Sequence, residues 1–563
     1  MFTKAKIFLS FLIVLSGFSI AQEAAQIDLN EVFANRAEQY FRFSLESKDQ
    51  IENLSKLISI DKVEEKTVFA YANRAEFEAF LQQNIPYQLL NPPNYLFEAE
   101  MYNSGLKQTY AWDQYLNYTD YINLMYQFAS NYPAICQVFS IGQSVNGREL
   151  LVAKISDNIS TKENEPQFFY SGQIHGDELV TSILMLRLID HLTANYNTDN
   201  QVTELVNNIE IWINPLANPD GLYAGGNTTV AGAIRYNANS VDLNRNFPDP
   251  QDGSHPDGKT WQVETQAFMN LATAQNFVMS ANTHAGAAVV NYPWDTWYTR
   301  HADDDWWQLV SFEYANTAQY YSPAGYMESF NDGITNGYDW YTISGGRQDY
   351  MNYFQNCREV TIEQSVQKFL PASELPAYWD YNRQAMLNYL QQVTFGFRGK
   401  ITDFDSGLAI EAKVEIENHD NNNSFVFANS LGNYYRPIKA GTYNLIFSAE
   451  GYQSKTILNE SILDYQSKII DVALQKLDLS IDSPYKPIIE FSNPVQNSVL
   501  RIISPVQIHK MTVFSILGQA IQTVENENQF ELVLNTKNLT SGLYIFVLQF
   551  SNGKASTHRF LVP

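Results

Sequence analysis

Between residues 106 and 395 short apolar runs alternate with amphipathic stretches, and this pattern limits the fold more than any other feature of the chain. Residues 167–172, 209–214, 277–282 and 359–363 are short apolar-rich runs, as strands buried on both faces are. Between them, residues 179–192 read as a mostly buried helix and residues 262–274 as an amphipathic one. Strands that alternate with helices are joined by crossovers, so the expected class is α/β, with a mixed, largely parallel sheet and helices on both faces.

The texture differs on either side, and 563 residues are too many for one core. Residues 22–105 predict a small α+β unit, with a strand at 68–71, a helix at 74–83 and a linker around Asn91-Pro92-Pro93-Asn94. After Phe395 the apolar period drops to two. Residues 412–417 alternate apolar with charged side chains, and Tyr443, Leu445 and Phe447 share one face. A β-sandwich over 396–475 follows, and a second small all-β sandwich over 484–563 with turns at Ser515–Gly518 and Ser541–Tyr544.

Lys4 and Lys6 precede an apolar run, and Ser19-Ile20-Ala21 makes a small-residue exit, so residues 1–21 read as a secretory signal peptide. A domain at 22–105, between this leader and the larger α/β domain, suggests a propeptide; an extra domain without that role is the alternative. No other segment reaches the roughly 20 apolar residues that cross a bilayer. The formal charge of −25 argues against nucleic acid as a partner, because phosphates need basic patches. Cys136 and Cys357 are too few for a disulfide framework; one pair or two buried thiols are both open.

The chemistry gathers at strand ends. His175-Gly176-Asp177-Glu178 follows the expected strand 167–172, so an imidazole and a carboxylate can meet on one cation. His284 closes the strand that begins at 277. Two neutral imidazoles and one carboxylate suit Zn²⁺ and leave a fourth position for water. Glu363 shares one face of its strand with Glu359 and Thr361 and is the candidate base; a glutamate on the rim would show the same spacing. Arg235 and Arg245 stand among amides in a polar loop with Asn244, which suits capture of a peptide's terminal carboxylate, although a structural Arg–Asp pair would look alike.

With Ser140–Leu150, Ala217-Asn218-Pro219-Asp220-Gly221 and Asp242–Asp249 in this order, the chain resembles the zinc carboxypeptidases, specifically the carboxypeptidase D, E and N branch, over most of residues 110–475. The resemblance implies that His175, Glu178 and His284 bind one zinc ion and that Glu363 is general base and acid. It implies further that Asp242 orients His175, that Asn244 and Arg245 grip the substrate's terminal carboxylate, and that Arg235 polarises the scissile carbonyl. Tyr341 matches the tyrosine that closes over substrate. Asp295, with Gln348 at the pocket base, implies a preference for C-terminal Lys or Arg. Asp177 departs from the branch, which usually carries asparagine there. Residues 396–475 resemble the transthyretin-like domain of this branch, and Asn493-Pro494 with Leu539–Tyr544 resemble a type IX secretion sorting domain, so the secretion machinery is an expected partner. Two rival functions stay open on sequence: an amidase of the same fold acting on cell-wall peptides or γ-linked glutamates, and a surface binding protein with an inactive peptidase domain.

Overall fold

The computed structural model describes residues 28–477 and 487–563, apart from residues 35, 46, 48 and 103–109. The leader expected over residues 1–21 lies outside the described residues. The chain divides into two compact units, one up to Lys476 and one from Leu477 onward.

The first unit opens with four antiparallel strands in the order Ser59–Glu64, Thr67–Asn73, Glu38–Ser44, Tyr87–Leu90. Helix Arg74–Leu81 starts in a capping box, Asn73 and Glu76 each satisfying the other's backbone N–H. It lays Phe77 and Phe80 on Phe41 and Phe43 of the sheet. This is the expected α+β unit.

The central sheet has eight strands: β1 Cys136–Gln143, β2 Glu149–Ile155, β3 Gln167–Gly172, β4 Glu210–Asn214, β5 Phe277–His284, β6 Ala287–Tyr292, β7 Ile334–Asn336 and β8 Arg358–Ser365. Their spatial order is β7-β6-β8-β5-β3-β4-β2-β1. The middle strands β8, β5, β3 and β4 are parallel. The antiparallel joints are β6 with β8, and β2 with both β1 and β4, so the sheet is mixed. Successive side chains point to opposite faces. Phe168 and Tyr170 pack with helices Val180–Asn195, Asp304–Tyr320 and Leu375–Gln391, while Phe169 packs with Val263–Ala274 on the other side. Cys136 and Cys357 are both buried free thiols.

The resemblance motifs have structural duties here. Asp220 accepts from the Ser144 hydroxyl, the Asn146 N–H and the Arg148 guanidinium, tying two of the motifs together. A Cβ on Gly176 would come within 2.2 Å of the Gly221 carbonyl carbon, so only glycine lets the chain after His175 pass so close.

Two four-stranded sheets follow, one built on Gly396–Asp403 and the other on Lys413–Ile416 and Gly441–Ser448. They close over Phe397, Val414, Leu445 and Phe447 as a β-sandwich. In the second unit the long strands Val499–Ser515 and Ala520–Asn535 pair through several register shifts. With Gly542–Phe550 and Ala555–Val562 they enclose Leu500, Met511, Phe546 and Phe560. Among the described residues no helix is long and apolar enough to cross a membrane.

Candidate active site

Three parallel neighbours deliver the central side chains. His175 leaves the chain just past β3, His284 is the last residue of β5, and Glu363 of β8 stands in register beside His284. Functional groups at the C-terminal ends of parallel strands converge over one edge of the sheet.

His175, Glu178 and His284 are buried, with one ligand atom of each within 4.8 Å of the others. Glu178 Oε1 lies 2.8 Å from His175 Nδ1, and Glu178 Oε2 lies 2.9 Å from His284 Nδ1. Both imidazoles therefore offer Nδ1 to the same point, and their Nε2 atoms are engaged elsewhere. Asp242 Oδ1 lies 3.0 Å from His175 Nε2, the carboxylate–histidine arrangement that fixes a tautomer and raises ligand basicity. Asn282 lies 2.9 Å from His284 Nε2, and its Oδ1 has no partner among the described residues. Turning that amide over would let Oδ1 accept from Nε2–H and leave the Nδ1 lone pair for a metal. Burial pushes His284 down to about 4, which keeps it neutral as a ligand must be. The donor set fits Zn²⁺.

Around the triad lies a belt of buried charge. Burial works against the Asp242 carboxylate, but Arg235, His175 and Arg245 hold it well below the usual range. Arg235 Nε donates to Asp242 Oδ2 at 3.1 Å, and its Nη1 lies 3.6 Å from Glu178. Burial, then the Glu178 charge, pushes Glu363 well above the ordinary carboxylate range. Glu363 Oε2 has no hydrogen-bond partner among the described residues. A bound cation beside it would favour its ionised form and oppose that rise, as a general base requires.

The carboxylate-binding candidates sit next to this belt. Arg245 is buried, and only its Nη1 is spoken for, by the Asn244 carbonyl at 2.8 Å; Nε and Nη2 find no partner among the described residues. Asn244 is held by Asp242 through its N–H and by Arg347 N–H through Oδ1. On the far wall, Asp295 Oδ1 accepts from Asn291 Nδ2 at 2.9 Å and from Gln348 Nε2 at 3.0 Å. Burial raises Asp295 to about 6 against the help of Asn291 and Arg245. Arg235, Asn244, Arg245, Asp295, Tyr341, Thr361 and Glu363 line one cavity with the triad. Gln348 stands behind it, its Oε1 accepting from the Thr361 N–H at 2.7 Å. All the residues singled out from sequence thus meet at one place.

Several others at this place escaped the sequence. Lys368 lies 3.3 Å from Asp177 and 3.5 Å from Glu178, which answers the unusual aspartate; an unexplained charge beside a metal ligand was the available signal. Asp349 accepts from the backbone N–H groups of Asp295 and Thr296. A Cβ at Gly337 would fall 1.8 Å from Asp295 Oδ1, so glycine there makes room for the carboxylate. Most unexpected is the N-terminal unit. Its strand Ser59–Glu64 places the Ser59 hydroxyl between Arg235 and Asp242 and pairs Asp61 with Lys368 at 2.6 Å. Glu38 accepts from the N–H groups of Arg235 and Tyr236. Tyr341, raised to about 12 by burial, packs with Ile343 into that unit's apolar core.

The family model described as zinc carboxypeptidase matches residues 121–385, and that of a secretion system C-terminal sorting domain matches residues 491–562. The catalytic chain of carboxypeptidase N from Rattus norvegicus is 34% identical over 401 residues, covering 62% of this chain and 85% of that protein. The chain belongs to the zinc carboxypeptidase family. Carboxypeptidase D from Mus musculus is 40% identical over 350 residues, 59% of this chain but only 25% of that protein, so the chain spans about a quarter of the carboxypeptidase D it matches. Among solved structures, carboxypeptidase A from Helicoverpa armigera aligns over 63% of this chain and 97% of its own at 18% identity, with a TM-score of 0.49. Zinc is the metal of this family, and His175, Glu178 and His284 are the residues that could hold it.

Proposed function

We propose that the chain is a secreted metallocarboxypeptidase that removes the C-terminal residue of peptides or proteins, with a preference for Lys and Arg. The observation that carries this is Arg245: a buried guanidinium whose Nε and Nη2 find no partner among the described residues, facing the cavity that also holds the triad, Glu363 and Asp295. An unpaired buried cation calls for an anion, and a planar fork matches a carboxylate. Arg245 and Asn244 hold the terminal carboxylate, Asp295 receives the basic side chain, and Arg235 faces the scissile carbonyl oxygen. Glu363 takes a proton from the attacking water and hands it to the leaving amine. Zinc, when bound, supplies the Lewis acidity that brings water's pKa toward about 7. Asp242 holds His175 and Tyr341 closes the mouth.

Peptides ending in Arg, Lys, Phe and Glu, compared by kcat/KM on zinc-loaded protein both before and after limited proteolysis, test it. Arg and Lys should lead by about 30-fold or more, the effect of one desolvated charge pair. A preference for Phe or Glu refutes the Asp295 pocket, and absence of turnover on all four refutes the peptidase itself. The sorting domain supports export by a type IX route to the cell surface or beyond.

Residues 22–105 are proposed to be a propeptide that keeps the enzyme latent. The contacts of Ser59 with Arg235 and Asp242, and of Asp61 with Lys368, occupy groups that the substrate needs or that border the metal. Limited proteolysis that removes this domain should raise turnover; equal activity before and after contradicts latency.

A further inference from the structure

The β-sandwich domain reaches the selectivity pocket through a chain of buried contacts. Asp295 sits on the segment between β6 and helix Asp304–Tyr320, and the last residue of that segment is Asp303. The Asp303 carboxylate is fully buried and both its oxygens are taken. Arg436, from the sandwich strand Asn433–Arg436, grips it with a fork: Nη1 donates to Oδ2 and Nη2 to Oδ1, each at 2.9 Å. Arg358, the first residue of β8, donates to Oδ2 at 3.0 Å and spends another bond on the carbonyl of Ser424 in the sandwich. Burial opposes the Asp303 charge, but Arg436 and Arg358 outweigh it and hold it below the usual range. Asp303, Asp420 and His419 could by composition hold a cation; here the two guanidinium groups already supply the positive charge.

From Asp303 the path to the pocket is short. The Asp303 N–H donates to His301 Nδ1 at 3.0 Å, and the His301 ring lies 4.9 Å from the ring of Trp294. Trp294 is fully buried and precedes Asp295. A second tie runs beside the first: Asn356 donates to the Asn423 carbonyl, Asn423 to the Tyr353 carbonyl, and Tyr353 packs on Trp294 and Trp297. A bidentate charge pair fixes direction as well as distance, which a loop bearing a selector needs.

We propose that the sandwich domain is part of the specificity apparatus, with Arg436 as a positioning residue that sets the Asp295 pocket through Asp303, His301 and Trp294. This rests on the pocket proposed above. The test uses the full chain, with and without limited proteolysis, reading the more active form of each variant. Arg436→Met should raise KM for a peptide ending in Arg about ten- to a hundredfold, the penalty of a selector displaced by about 1 Å. The kcat for that peptide, the bound zinc and kcat/KM for a peptide ending in Leu should stay within about twofold, and Arg436→Lys should recover part of the loss. His301→Ala leaves both guanidinium pairs of Asp303 in place and should shift the Arg-to-Leu preference the same way, so it carries the test if Arg436→Met fails to fold. An unchanged Arg-to-Leu ratio, or equal loss on both peptides, overturns the proposal. Asp295→Asn runs in parallel. If it abolishes the basic preference while the Arg436 and His301 variants keep it, the proposal alone falls; if wild-type enzyme has no basic preference, the pocket falls and the proposal with it.

Discussion

The metal end of the cleft and the end proposed to choose the substrate are built in different ways. At the metal end His175 and Glu178 come from one turn of chain, Arg235, Asp242, Asn244 and Arg245 from one short stretch, and His284 and Glu363 from two further strands. Its side chains are ionic partners of one another, so the geometry is set by charge. At the other end Asp295 is held by neutral amides, Asn291 and Gln348, with Asp349 beneath its backbone and Gly337 making room. Among the described residues Asp295 forms no ion pair, and burial pushes it up to about 6 against the help of Asn291 and Arg245. One end is a network of ion pairs around a site for a metal; the other is a carboxylate held by neutral amides.

The sharpest way to separate them is Glu363→Gln. Loss of a positioned general base lowers kcat by about 10²- to 10⁴-fold. The loss should be equal for peptides ending in Arg and in Leu, and metal analysis should find zinc retained. A selective loss on one peptide would join the two ends into one functional unit. Asp295→Asn is next, at about 30-fold or more in kcat/KM on basic peptides alone, measured against the same Leu peptide. A comparable fall on Leu would mean that Asp295 supports the fold and not the choice.

This difference also governs what could be read from the chain. Strand ends and the H-x-x-E spacing were legible because they are local: an apolar run followed by His175 or His284 carries its own placement. The sheet's mixed character was half visible, since β8 looks alike whether its neighbour β6 runs with it or against it. Lys368, Asp349 and the Asp303–Arg436 pair were not legible, because each depends on contacts between segments far apart in the chain. The Ser59 and Asp61 contacts were hidden for a similar reason: a strand's exposed polar residues look alike whether they face water or a neighbouring domain.

The N-terminal domain offers a test confined to the metal end. Glu38 is raised to about 8, by burial first and the Asp177 charge second, while docked against Arg235 and Tyr236. A carboxyl whose docked pKa lies above its free value of 4.5 favours docking when protonated. Docking is therefore tightest below about 4.5 and loosens as pH rises toward 8. Nicked protein should release this domain more readily at pH 8 than at pH 5 on size-exclusion chromatography. Glu38→Gln, neutral at every pH, should flatten that dependence. Persistence of the full dependence would move its source to another group.

The smallest expected effect, and the one that bears most directly on the contrast between the ends, is the acid limb of substrate choice. Asp295 at about 6 is largely ionised at pH 7.5 and largely protonated at pH 5. Because kcat/KM follows the free enzyme, its value for a peptide ending in Arg should fall about tenfold per unit once pH drops well below 6. The Leu peptide does not need the charge, so any fall it shows reports the groups at the metal end. The ratio of the two cancels those groups and isolates Asp295. A ratio that bends near 6 in wild-type enzyme and is flat in Asp295→Asn places the selector's proton on Asp295. A ratio that bends in both places it on a neighbouring carboxyl, of which Asp349, raised well above its ordinary range by burial and by Asp295, is the nearest candidate.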